Sequence, residues 1–231
     1  MYLFMKTVSF FISLVPEAVL EKLAGFIAYL FFDVFKLRRK LVLQNLDYAF
    51  QDSYSDEEKQ KIGRASYKNF LLTAFEFLRS PYHDIADKFD VIGEENLKKA
   101  KAKGKGVYIL CQHMGSWEAM GAYMTRHYGP THVLVKKVGG SGMSRFVEEL
   151  REHNQFLSVK REKKGDGVRA IARALDAGEI LGFVMDQARP GEPRLPFFGK
   201  PATLVLQPFG RKNLRRLSKG TSAVWVLDVT N

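Results

Sequence analysis

Cysteine is almost absent from this chain. Cys111 stands alone among 231 residues, which excludes a disulfide framework and the cysteine-rich metal clusters of usual spacing. It lies inside an apolar run and reads as a small buried side chain. Internal repeats and low-complexity stretches are missing too, so repeat arrays and long linkers are excluded. Also lacking is an uninterrupted apolar run of the roughly 20 residues that span a bilayer. Residues 1–35 are dense in Phe, Leu, Ile, Val and Ala, but Pro16, Glu17, Glu21, Lys22 and Asp33 interrupt them. No small-residue cleavage site follows residues 10–15, so no removed signal peptide is read there. Net negative charge is absent: the balance is +11 and the isoelectric point near 9.6. That points to an anionic partner, whether nucleic acid, an anionic membrane surface, a phosphorylated lipid or an acidic carrier protein. Nucleic acid is not expected, because the basic residues are spread along the chain and no recognition-helix or RNP-type signature is present.

With 46% hydrophobic residues, the chain can bury a substantial core within one domain plus an appendage. Lys36, Arg38, Arg39 and Lys40 close the apolar N-terminal stretch, and charge at that end suggests the cytoplasmic side of a membrane. Residues 1–36 therefore read as an interfacial, monotopic membrane anchor. An ordinary pair of core helices is the alternative.

Beyond this stretch, helical and strand patterns alternate. Residues 55–80 repeat apolar side chains at three and four, with Glu57 and Glu58 near the start and Pro81 at the stop. Lys98, Lys99, Lys101, Lys103 and Lys105 read as a solvated face rather than a phosphate contact. Residues 107–111 form an apolar run of the kind covered on both faces in a parallel sheet. Residues 131–137, 156–159 and 180–185 are further strand candidates. Met143, Phe146, Val147 and Leu150 mark one helix between them; Val168, Ile171, Ala172 and Leu175 mark another, ended by Gly178. The expected fold is α/β: a mixed, mostly parallel sheet flanked by helices, with the N-terminal helical segment as membrane anchor.

Two strands end in chemistry-bearing residues, where such sheets place their sites. One runs into His113, with Glu118 five positions on; the other ends at Asp186 and Gln187. Within a continuous helix a spacing of five would hold His113 and Glu118 apart. It works if His113 lies in the turn, Ser116 caps a helix, and Glu118 sits in its first turn, where the dipole favours a carboxylate. Glu118 then curls back to Nδ1 of the imidazole, fixing the tautomer and leaving Nε2 to take a proton from an alcohol. An alcohol so activated attacks a thioester directly, given an oxyanion site.

The segment His113-Met114-Gly115-Ser116-Trp117-Glu118 resembles the HX4(D/E) motif of the bacterial lipid A biosynthesis acyltransferases, the lauroyl and myristoyl transferase family. Asn45-Leu46 and Ala49-Phe50, Leu150-Arg151, Met185-Asp186-Gln187 and Pro196-Phe197-Phe198-Gly199 resemble further elements of that family, in order from about Pro16 to Ala202. The resemblance implies an enzyme that moves a fatty acyl chain from acyl carrier protein to a hydroxyl of a lipid A precursor, at the cytoplasmic face of the inner membrane. It implies His113 as general base and Glu118 as its partner. Arg151 would balance charge on the acceptor phosphate or the oxyanion, Lys136 would contact phosphate, and Asp186 and Gln187 would shape the site. No cofactor or metal is implied. Two alternatives stay open: an acyl-CoA-dependent transferase for another glycolipid or glycerolipid, and an inactive membrane-bound remnant.

The likeness is expected to end at Ala202, giving an anchor at 1–36, an acyltransferase domain at 37–202 and an aberrant basic tail at 203–231. A truncated or frame-shifted gene would account for that tail. Its poor apolar periodicity suits it badly to closing a sheet edge, although residues 224–227 could pair as one strand.

Overall fold

The computed structural model describes residues 1–88, 90–135, 140–155, 157–160, 166–184, 186, 194–203 and 222–224. Lys136 and Gln187 lie outside the described residues.

Five strands form one parallel sheet in the order β3-β2-β4-β1-β7. These are β1 (Val107–Cys111), β2 (Thr131–Val135), β3 (Leu157–Lys160), β4 (Ile180–Val184) and β7 (Ser222–Val224). A separate antiparallel hairpin joins β5 (Arg194–Phe197) to β6 (Lys200–Thr203). Within the basic tail, then, β7 does pair along the β1 edge; residues 225–227 lie outside the described residues.

Alternation along β1 explains why it is apolar throughout. Val107, Ile109 and Cys111 pack against α5 (Glu94–Lys101) and α6 (Trp117–Tyr128), while Tyr108 and Leu110 meet α8 (Asp166–Asp176) on the other face. Each such side chain, fully buried, contributes about 1.5–3 kcal/mol. Gly106 lets the β1 entry lie against the end of α8: its N–H donates to Leu175 O at 3.1 Å, and a Cβ there would stand 2.4 Å from Leu175 Cα. Gly178, at φ +75°, turns the chain from α8 toward β4 as expected of a helix-terminating glycine.

The longest helix, α4 (Asp56–Arg79), starts where its signal said. The Glu58 N–H donates to Ser55 Oγ at 3.3 Å and the Ser55 N–H donates to Glu58 Oε2 at 2.8 Å, a reciprocal capping box. Packed on α4 are α1 (Tyr2–Leu14), α2 (Glu17–Tyr29) with the π-helical turn Leu30–Val34, and α3 (Arg39–Phe50). Gly63 makes room for fully buried Phe32, whose ring a Cβ would approach to 2.6 Å. Arg64 then grips Asp33 through Nε and Nη2 at 2.6 and 2.9 Å.

At Pro16 the chain bends by 120° between α1 and α2, and neither helix is long and apolar enough to cross a membrane alone. The amphipathicity of α1 is inside out. Tyr2, Lys6, Ser9 and Ser13 share the stripe that faces the protein, with Ser9 Oγ donating to Leu78 O at 2.5 Å. Leu3, Phe4, Phe11 and Leu14, between 61% and 75% exposed, share the opposite stripe. On α2, Val19, Leu23 and Phe26 are also exposed.

Candidate functional site

Strand register assembles the site. Cys111 of β1 is the partner of Val184 in β4, so two residues beyond each strand His113 and Asp186 stand side by side at the carboxyl edge of the sheet. The His113 backbone N–H donates to Asp186 Oδ2 at 2.9 Å, and Nδ1 meets Oδ1 at 2.7 Å. An ionised carboxylate only accepts, so Nδ1 is the donor in this bond, and in the neutral ring Nε2 then holds the lone pair. Both side chains are about one-third exposed, at 34% and 33%. Gly115, at φ +59°, takes the left-handed conformation that tightens the turn between His113 and α6. Trp117 then stands edge-on to the imidazole, ring centroids 5.1 Å apart.

Nδ1 was expected to meet Glu118; the structure puts Asp186 there. Glu118 does occupy the first turn of α6, but its carboxylate points to α7 (Ser141–His153) and binds Arg151 by both oxygens, Nη2–Oε1 at 2.5 Å and Nε–Oε2 at 3.1 Å. The pair is nearly dry, with side-chain exposures of 7% and 13%. Arg151 stands beside the His113 turn with its guanidinium paired to the Glu118 carboxylate. Ser116 holds the N-cap position without a side-chain cap bond, and its Oγ is buried with no hydrogen-bond partner among the described residues.

Asp186 is the hydrogen-bond partner of His113 that sequence reasoning did not identify. Its signal was the strand ending at 184–186; what was missing was the knowledge that this strand lies next to β1. Cys111, two residues before His113, is inert by contrast. Burial, and secondarily the Asp186 charge, push its thiol up to about 12, and Sγ donates to Phe183 O at 3.2 Å.

Other charged groups lie elsewhere. Lys98, Lys99, Lys103 and Lys105 are exposed before the start of β1. A five-residue strand, about 17 Å long, separates them from the His113 end, which agrees with a solvated face. A cleft of about 340 Å³, lined by Tyr82, His83, Asp84, Arg126, His153 and other residues of α4's exit, α6 and α7, contains none of His113, Glu118, Arg151 or Asp186.

A family model described as bacterial lipid A biosynthesis acyltransferase matches residues 2–212, so the likeness continues past Ala202. The lipid A biosynthesis palmitoleoyltransferase of Escherichia coli (strain K12) is 26% identical over 168 residues, 71% of this chain and 53% of that protein. The lipid A biosynthesis acyltransferase of Shigella flexneri matches with the same identity and coverage. The phosphatidylinositol mannoside acyltransferase of Mycolicibacterium smegmatis is 26% identical over 92 residues, 40% of this chain and 30% of that protein. The chain thus spans about half the length, or less, of the curated relatives it matches. With a match over most of its length and the His113 turn at the end of its central sheet, this chain belongs to the bacterial lipid A biosynthesis acyltransferase family.

Proposed function

We propose that this protein transfers a fatty acyl chain from acyl carrier protein to a hydroxyl of a lipid A precursor at the cytoplasmic face of the inner membrane, with His113 as general base. The observation that carries the reading is the His113–Asp186 pair at the carboxyl edge of β1 and β4, inside the residues matched by the lipid A acyltransferase model.

Asp186 holds Nδ1–H and Nε2 removes the proton from the acceptor hydroxyl as its oxygen bonds to the thioester carbonyl carbon. The negative charge that develops on the carbonyl oxygen is stabilised by the first turn of α6. That helix carries no side-chain cap, and its first N–H groups have no acceptor within the helix. Collapse breaks the carbon–sulfur bond, and the imidazolium returns its proton to the leaving thiolate. Glu118 and Arg151 tie α6 to α7 beside the His113 turn. By the family resemblance we assign Lys136 to the acceptor phosphate and Gln187 to shaping the site.

The inside-out helix α1 supports the membrane placement, because its apolar stripe has no cover from the described residues and suits the boundary between headgroups and acyl chains. A basic chain also favours encounter with an acidic carrier protein and a phosphorylated acceptor.

A glycolipid acceptor is the second reading, favoured by the similarity to a phosphatidylinositol mannoside acyltransferase. Side-by-side assays separate the two: labelled acyl carrier protein or acyl-CoA as donor, lipid A precursor or a phosphatidylinositol mannoside as acceptor. The proposal expects product with carrier protein and the lipid A precursor. Product only with acyl-CoA or only with the mannoside would overturn it.

A further inference from the structure

We propose that Glu149 is a positioning residue, which links α1 to Arg151 through α7 so that seating α1 on a lipid surface sets the catalytic turn. This rests on the acyltransferase reading for the identity of the turn, and on geometry for the link.

One stripe of α7 is given over to α1. Glu149 receives hydrogen bonds from the Tyr2 hydroxyl at Oε2 and from Lys6 Nζ at Oε1, the latter at 2.6 Å. The Arg145 guanidinium lies over the Tyr2 ring, 4.5 Å from its centroid. Gly142 completes the stripe, and there a Cβ would stand 3.0 Å from the Tyr2 backbone nitrogen. Positions 142, 145 and 149 share one face of a helix, and 151 falls nearly opposite. From that opposite face Arg151 reaches back to Glu118, in the first turn of α6 and next to Trp117, whose ring touches His113. One rigid helix therefore has α1 on one side and the catalytic turn on the other.

Stability alone is a poor reason for the Glu149 cluster. Lys6 and Glu149 are 44% and 42% exposed, and ion pairs that open to water add little. What the cluster does fix is the rotation and depth of α1 against α7. Since the outer face of α1 is the apolar stripe of Leu3, Phe4, Phe11 and Leu14, a bilayer that takes up this stripe pulls on the same helix that Glu149 holds.

The test uses the full chain with Trp225→Phe, so that Trp117 is the only tryptophan left of the two. Vesicles of phosphatidylethanolamine and phosphatidylglycerol are added while acrylamide quenching of Trp117 is followed, and binding is measured by co-sedimentation. The proposal expects vesicles to change Trp117 quenching in the parent. Glu149→Ala and Glu149→Gln should still bind vesicles but lose most of that change. The exchange of charges, Lys6→Glu with Glu149→Lys, should restore it. In acyl transfer the single variants should lose about tenfold in kcat with KM little changed, as for a misplaced catalytic group, and the exchange should recover most of it. A Trp117 response that is absent in the parent, retained in the single variants, or not restored by the exchange overturns the link. Absence of acyl transfer in the parent overturns the acyltransferase reading instead, and leaves the Trp117 result to decide the link.

Discussion

Asp186→Asn isolates the contribution of the histidine tautomer. Asp186 accepts twice from one residue, from the His113 backbone N–H and from Nδ1–H. An asparagine keeps the shape but has only one accepting atom. If its oxygen stays with the backbone N–H, its amide group faces Nδ1, forces that nitrogen to accept, and moves the ring proton to Nε2, where it blocks the base. General-base assistance is typically worth 10² to 10⁴ in rate. Because both side chains are about one-third exposed, water can substitute in part, and the low end applies: a loss of about 10² in kcat, or about 2.7 kcal/mol of transition-state stabilisation. Little change in KM is expected, since the lost contact acts on the reacting proton. Initial rates over a range of acceptor concentrations measure this. Rates indistinguishable from wild type, in a variant that melts normally, would refute the tautomer argument.

Further outcomes follow from the packing and the charges. Glu118→Ala removes the carboxylate that pairs with Arg151 in a nearly dry site and should cost about 3 kcal/mol, roughly 6–12 °C in melting temperature for a domain of this size; Glu118→Leu with Arg151→Met should be milder than the single variant, and equal losses would argue against a buried pair. Gly106→Ala drives a Cβ to 2.4 Å from Leu175 Cα and should cost about 3 kcal/mol. Gly25→Ala, in α2 with nothing within 4 Å of the new Cβ, should gain about 0.5–1 kcal/mol, and chemical denaturation of both variants checks the contrast. Glu94 accepts from Lys98, Tyr128 and Tyr123, which hold its carboxyl down at about 2, against 4.5 for an unperturbed group. A depressed folded value stabilises above the unfolded value and is lost as pH falls. Glu94→Gln should therefore melt below wild type at neutral pH, with the gap closing between pH 4.5 and about 2; a gap independent of pH would contradict the assignment.

Local signals carried far in this chain. The helix over 55–80 with Glu57 and Glu58 near its start, the doubly covered strand 107–111 and the Gly178 stop were legible because each depends on residues a few positions apart. The partner of His113 was not. Glu118 is near in sequence and Asp186 is 73 residues away; only the choice of β4 as the neighbour of β1 decides between them, and parallel pairing leaves no local trace. The direction of Glu118 depended in the same way on where α7 lies. Hydropathy marked residues 1–35 as apolar, but only the packing of Tyr2, Lys6, Ser9 and Ser13 against the protein tells which face of α1 is open. A strand near 224–227 was legible as one able to pair, but its partner, the edge of β1, was not.

The most direct test of the central claim is the initial rate of acyl transfer from labelled acyl carrier protein to a lipid A precursor in vesicles, for the wild-type chain and for His113→Ala. The account predicts a measurable rate for the wild type and loss of turnover in the variant, with carrier-protein and vesicle binding intact. Equal rates in the two proteins would contradict His113 as the base, and no transfer by a folded wild-type chain would contradict the proposed activity itself.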